Sequence, residues 1–129
     1  YKPFHLIGLE LGISVASVGL RNEPTGVPIG FNADVVATAK RDLAAGEMLD
    51  GEGGYTVYGK VMPAEESMRI GGLPLGLAQK VRLVNAIASG QQVRWDDVEI
   101  DESQSAVAFR RSMERATAIL EDEAIVSAT

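Results

Sequence analysis

The sequence contains no cysteine. Disulfide frameworks, thiolate nucleophiles and thiolate metal sites are therefore excluded, and a cytoplasmic location fits. There is a single histidine, His5, which rules out a multi-histidine zinc or iron centre. Lys and Arg never run beyond a pair, and the formal net charge is −6. A nucleic-acid partner needs a basic stripe to neutralise phosphates, so that class falls away. No GxGxxG loop occurs, so the chain carries no dinucleotide site of its own. A signal peptide wants a basic n-region and an unbroken apolar stretch, and the apolar segment Phe4–Leu20 is interrupted by Glu10. It also falls short of the ~20 apolar residues that span a bilayer. We read it as a buried element of a soluble protein with no membrane partner.

What is present is a chain of one-domain size. Its 129 residues are 46% hydrophobic and 23% charged, which is the balance of a folded protein. Over residues 3–20, Leu6, Leu9, Ile13 and Ala16 keep helical spacing, while Leu9, Leu11, Ile13 and Val15 also alternate as a strand would. The length predicts a helix, with Pro3 in its first turn. Residues 21–33 hold Pro24, Gly26, Pro28 and Gly30 and read as a linker. From Asp34 to Asp101 short alternating or β-branched runs, such as Val35–Ala39, Tyr55–Met62, Gln79–Val84 and Val98–Ile100, are separated by glycine turns. That pattern predicts a small barrel or sandwich. After Ser103, residues Ala106, Phe109, Met113, Ala116 and Leu120 recur at helical spacing, which predicts an amphipathic helix burying that stripe. Beyond Glu121 the helix is expected to fray.

The middle region says one thing twice. "RDLAAGEML" (Arg41–Leu49) is followed 44 positions later by "NAIASGQQV" (Asn85–Val93). Leu43 matches Ile87, Gly46 matches Gly90 and Leu49 matches Val93, and an alternating strand precedes each copy. The glycine supplies the positive φ of a tight turn, and the apolar residues anchor it. The titratable positions do not match, since Asp42 faces Ala86 and Glu47 faces Gln91. A duplicated catalytic site would repeat its acid or base. A duplicated structural corner is the better reading.

These residues also carry a resemblance. "ATAKRDLAAGEML" with "LPLGLAQKVRLVNAIASGQQVRWDDVEI" resembles the SAF-domain family, whose small β-clip folds are built from two related halves. That family occurs in sialic acid synthases, type III antifreeze proteins, altronate dehydratases and flagellar or pilus assembly chaperones. The likeness covers residues 34–101. Including "YKPFHLIGLELGISVASVGL" and "GEGGYTVYGK", nearly the whole chain resembles the C-terminal part of long oxidoreductases. Those are similar to homoserine dehydrogenase and include deoxyxylulose-phosphate reductoisomerase-like proteins. His5 and Glu10 match the family's "YHL…LE.P.S" pattern, with Gly12 where proline is usual.

The resemblance implies a mainly β fold, a β-clip or SAF-like small barrel with two pseudo-repeated halves, flanked by an N-terminal and a C-terminal helix. Residues 1–33 would end a catalytic domain, 34–101 form the clip and 102–129 the closing helix and tail. Tyr1, in place of Met, is then expected to follow an upstream Rossmann and catalytic part that binds NAD or NADP. This chain would hold no cofactor and no complete active site, and serve a structural, dimer-contact or lid role in a homo-oligomer. The alternative is a free-standing SAF module that binds a sugar acid or a protein partner.

Three candidate sites remain. His5 and Glu10 are an imidazole and a carboxylate inside an apolar run. On one helix they would point about 140° apart, so each would need partners from elsewhere to act catalytically. The Gly51–Gly54 loop invites a phosphate, but a strand follows it where a cradle wants a helix N-terminus. Asp97, Glu99 and Asp101 would share one strand face and could hold a divalent cation, although a solvated acidic face is the simpler reading. Trp95, the single tryptophan, reads as a cover for the barrel end or an interface.

Overall fold

The structure, a computed structural model, describes the backbone of residues 3–127 and the side chains of residues 3–118. The chain divides into two compact units, residues 1–30 and 31–129.

The first unit contains helix α1, Ile7–Arg21. The amides of Leu9 and Glu10 bond back to the Leu6 carbonyl, at 2.9 and 3.0 Å. At the other end Asn22 adopts a left-handed conformation, φ 53°. Its N–H reaches the Val18 carbonyl, and the Glu23 N–H reaches that of Ser17. This double closure satisfies carbonyls the helix would otherwise leave open. Pro3 and His5 precede the helix and are not part of it. The expectation of a buried helix is corrected here. Ile7, Leu9, Leu11, Ile13, Val15, Val18 and Leu20 are all exposed, Leu20 to 86%. Glu10, Ser14, Ser17 and Arg21 form a polar stripe, and the covered positions of α1, Ser17 with Glu10, Ser14 and Ala16, lie on or beside it rather than among the large apolar residues.

The second unit is mainly β at its centre. Strands β1 (Ala33–Ala39) and β3 (Val57–Pro63) form an antiparallel pair, with Ala33 opposite Pro63 and Ala39 opposite Val57. Strand β4 (Gln79–Leu83) lies between β2 (Met48–Asp50) and β5 (Val98–Glu99), antiparallel to both. Single 3-10 turns occupy Leu75–Leu77 and Trp95–Asp97. A short helix, α2 (Ala64–Ile70), stands between β3 and β4 where only turns were expected. Its signals are local: Pro63 before it, Glu65 and Glu66 in its first turn, Arg69 in its last, and Gly71 closing it in the left-handed region.

The two repeated segments interlock. Leu43 and Ile87 exchange backbone hydrogen bonds, 2.8 and 3.0 Å, across an antiparallel bridge. The Gly46 N–H donates to the Leu83 carbonyl at 2.7 Å, and the Gly90 N–H to that of Ala39 at 2.8 Å. The Leu83 N–H donates to Glu47 and the Ala39 N–H to Gln91, both at 2.9 Å. Each bond of one corner thus has its counterpart 44 positions on. Gly46 and Gly90 sit at φ 84° and 80°, as the duplicated turn requires. Leu43, Leu49, Ile87 and Val93 are all buried in the one core, with Val36, Val57, Leu73, Leu83 and Val107. The duplicated corner is structural.

Helix α3 spans Ser105–Ser127, continuous past Glu121. Its inward face is not the predicted one. Val107 is fully buried and Arg110, Arg111 and Glu114 are half-buried, whereas Ala106 and Ala116 are exposed and Phe109 is 74% exposed. Met113 is half-buried, and the Leu120 side chain lies outside the described residues.

Candidate functional site

Helix α3 presents charge to the sheet because β1 offers a carboxylate there. Asp34 and Val36 share the inward face of β1. Arg110 forks onto Asp34, Nη1 to Oδ1 at 3.1 Å and Nη2 to Oδ2 at 2.5 Å. The Ser67 hydroxyl, from α2, donates to Asp34 Oδ2 at 2.5 Å, and the Val35 N–H to Oδ1 at 2.9 Å. Arg110 Nε donates to Glu114 at 2.7 Å, and its guanidinium lies 4.8 Å from the Phe31 ring centre. Among the described residues no buried side-chain polar atom is left without a partner. Burial pushes the Asp34 carboxyl upward, but the bonds from Arg110 and Ser67 outweigh it and hold it below its ordinary value. Burial likewise lowers Arg110, and its carboxylate partners more than restore it. A carboxylate so saturated with donors is no acid or base. The cluster is a clamp joining β1, α2 and α3.

Beside it, Arg111 stacks on the indole of Trp95, 3.8 Å from the ring centre. Trp95 is buried, so its expected role as a cover is filled from within the chain by Arg111. A cleft of about 280 Å3 opens between α2 and α3, floored by Met68 and Trp95 and walled by Arg111, Glu114 and Arg115. The sequence reading missed this whole constellation. Its partners are distant in the chain, with Asp34 and Arg110 separated by 76 positions.

The residues singled out in the sequence fare differently from one another. His5 and Glu10 do come together, with Nδ1 3.5 Å from Oε2. The angular argument against a pair assumed that both lie on one helix. Because α1 begins at Ile7, His5 is free to fold back over its first turn. His5 is largely exposed and Glu10 partly covered.

The Gly51–Gly54 loop spends its polar groups internally. The Asp50 carboxylate accepts the Tyr55 N–H at 2.6 Å, the Thr56 N–H at 3.0 Å and the Thr56 hydroxyl. Lys40 donates to the Gly54 carbonyl across the loop. The Thr56 hydroxyl first, then the Tyr55 amide, hold the Asp50 carboxyl down to about 2. The Asp50 carboxylate thus takes the first two amides after the loop, and the Gly54 N–H closes back on the Gly51 carbonyl.

The acidic run does not form a carboxylate-lined strand face. Trp95–Asp97 is a 3-10 turn, and Asp97 accepts the Arg94 N–H at 2.9 Å and the Asn85 amide at 3.1 Å. Asp101 accepts the Ser103 N–H and hydroxyl ahead of α3. No group of three His, Asp or Glu suited to a metal exists among the described residues.

With the geometry in hand, the comparisons with known proteins are brief. No protein-family model matches the chain, and no curated protein matches it at a significant level. Among the described residues no helix is long and apolar enough to cross a membrane.

Proposed function

We propose that this chain is the C-terminal, SAF-like segment of a larger NAD(P)-dependent oxidoreductase similar to homoserine dehydrogenase. In this reading the two interlocked corners are the halves of a β-clip. The clip's work is structural: it packs on the catalytic part, makes dimer contacts or lids the substrate. NAD or NADP belongs to the upstream Rossmann part, and the cytoplasm and a homo-oligomer go with the same reading.

The observation that carries it is α1. A large contiguous apolar surface on a helix marks a surface built to be covered, and α1 exposes Ile7, Leu9, Leu11, Ile13, Val15, Val18 and Leu20. A catalytic domain packed around it supplies that cover. The absence of any nucleotide loop in this sequence and the family-like "FHLIGLELGIS" stretch support the same division of labour. His5 and Glu10, held together at 3.5 Å, then stand at the edge of the active site as its candidate catalytic pair.

The test uses the full-length gene product. It should quench on titration with NADH or NADPH, and the 129-residue chain alone should not. In that full-length protein Glu10→Gln should lower turnover by roughly 100-fold if Glu10 moves a proton, with nucleotide affinity unchanged. Unchanged turnover removes Glu10 from the site. A full-length product that binds neither nucleotide overturns the oxidoreductase reading.

A further inference from the structure

A second cleft, of about 410 Å3, opens where β4 and β5 meet the start of α3. Leu77, Val81, Ile100 and Val107 supply the apolar part of its lining. Two opposite charges, Lys80 and Glu99, also line it. Among the described residues neither has an ion-pair or side-chain hydrogen-bond partner, so they stand more than 4.0 Å from each other and from any other opposite charge. Asp101 also lines the cleft, but its carboxylate is committed to Ser103. Glu99 is the acid left available.

Lys80 is there at a conformational cost. Leu49 opposes Val81 and Asp50 opposes Gln79, so Lys80 is the unpaired residue of a β-bulge. It is held at φ 58°, in the left-handed region where glycine sits freely. A lysine there costs about 1–2 kcal/mol. A bulge re-aims its side chain, and such strain collects where a side chain is needed.

We propose that this cleft binds a small aliphatic α-amino acid. Its carboxylate meets Lys80, its ammonium meets Glu99, and its side chain lies on Leu77, Val81 and Ile100. A zwitterion can meet both charges at once, whereas a simple anion meets only Lys80 and a simple cation only Glu99. The volume is at the small end of ligand sites, which run from about 300 to 1,000 Å3. That leaves room for an amino acid of leucine's size. The inference is independent of the oxidoreductase reading.

The experiment is a titration of the 129-residue chain with leucine, followed through the backbone amide resonances of Lys80, Glu99 and Gln104. Isocaproate and isoamylamine, which each keep one charged group of leucine, serve as matched probes. Leucine should shift these amides saturably, and each probe should bind about tenfold more weakly or worse. Lys80→Gly relieves the backbone strain while removing the amine. It should raise the unfolding midpoint and weaken leucine at least about tenfold, as should Glu99→Gln without a gain in stability. The proposal is overturned if leucine leaves the amides unmoved, if isocaproate binds as well as leucine, or if Lys80→Gly binds like the parent.

Discussion

Helix α1 turns apolar side chains outward, and helix α3 turns charged ones inward. Each reverses the usual helix in a globular protein, but the reversals have different causes. In α3 the inward charges are matched within the chain: Arg110 by Asp34 and Glu114, Arg111 by the Trp95 ring. A buried charge is tolerable once paired and fully hydrogen-bonded. In α1 the outward side chains have no such match, since an exposed Leu or Ile gains nothing from water. The contrast teaches where to look for an explanation. For α3 it lies inside the molecule, and for α1 the described residues supply none.

The largest expected effect comes from breaking the α3 clamp. Asp34→Ala removes two of the three carboxylate bonds of a guanidinium that is only 12% exposed, leaving it Glu114, and should lower stability by about 3 kcal/mol in urea unfolding. Replacing both partners, Asp34→Leu with Arg110→Met, should recover most of that loss. A single replacement that costs less than about 1 kcal/mol would mean that the clamp does not hold α3 in place.

Acid should break the same clamp more gently. Asp34 and Asp50 both titrate below their ordinary 3.8 when folded, Asp50 at about 2. The ionised form is therefore the one the fold favours. The stability they contribute is fully present above the unfolded value and is lost as the pH falls through the folded one. The urea midpoint should stay flat down to about pH 5 and then fall toward about pH 2. Asp34→Ala should flatten part of that decline, and an unchanged slope would remove Asp34 as a source of it.

Arg111→Ala tests the second contact of α3, at lower stakes. Loss of the stack on Trp95 should cost about 0.5–2 kcal/mol and expose the indole, seen as a red shift in its fluorescence. The smallest effect belongs to α1. Leu11→Gln should change the stability of this chain by less than about 0.5 kcal/mol. If a catalytic domain covers α1, the same substitution should cost the full-length protein about 2 kcal/mol or more. Equal, small effects in both would argue that α1 is bare there too.

The central fold was legible because its signals are local and repeated. Gly46 and Gly90, each with apolar anchors before and after, are enough to mark a tight turn tied into a core. Helix α3 was legible as a helix, but its orientation was not. The spacing of Ala106, Phe109 and Met113 describes a stripe, and which stripe faces in depends on Asp34 and Trp95, far away in the sequence. Helix α2 carried clear end signals, yet its seven residues were lost between two strands. Asp97 was misplaced because its carboxylate folds back on Arg94 and closes a turn. His5 and Glu10 were kept apart by a helix assumed to begin too early. For Asp97 and for the face of α3, side-chain hydrogen bonds decide geometry that hydrophobic periodicity does not encode.

The reciprocal bonds between the two corners have a consequence for how the chain is made. Ala39 and Leu43 find their partners at Gln91 and Ile87, and the Gly46 N–H finds its own at Leu83. Neither half can complete its backbone pairing alone, and contacts this distant in sequence slow the search for the native state. A ribosome must therefore deliver the chain through Ile87 before the first corner can close. Until then β1, which leads into it, can pair only along the edge that faces β3.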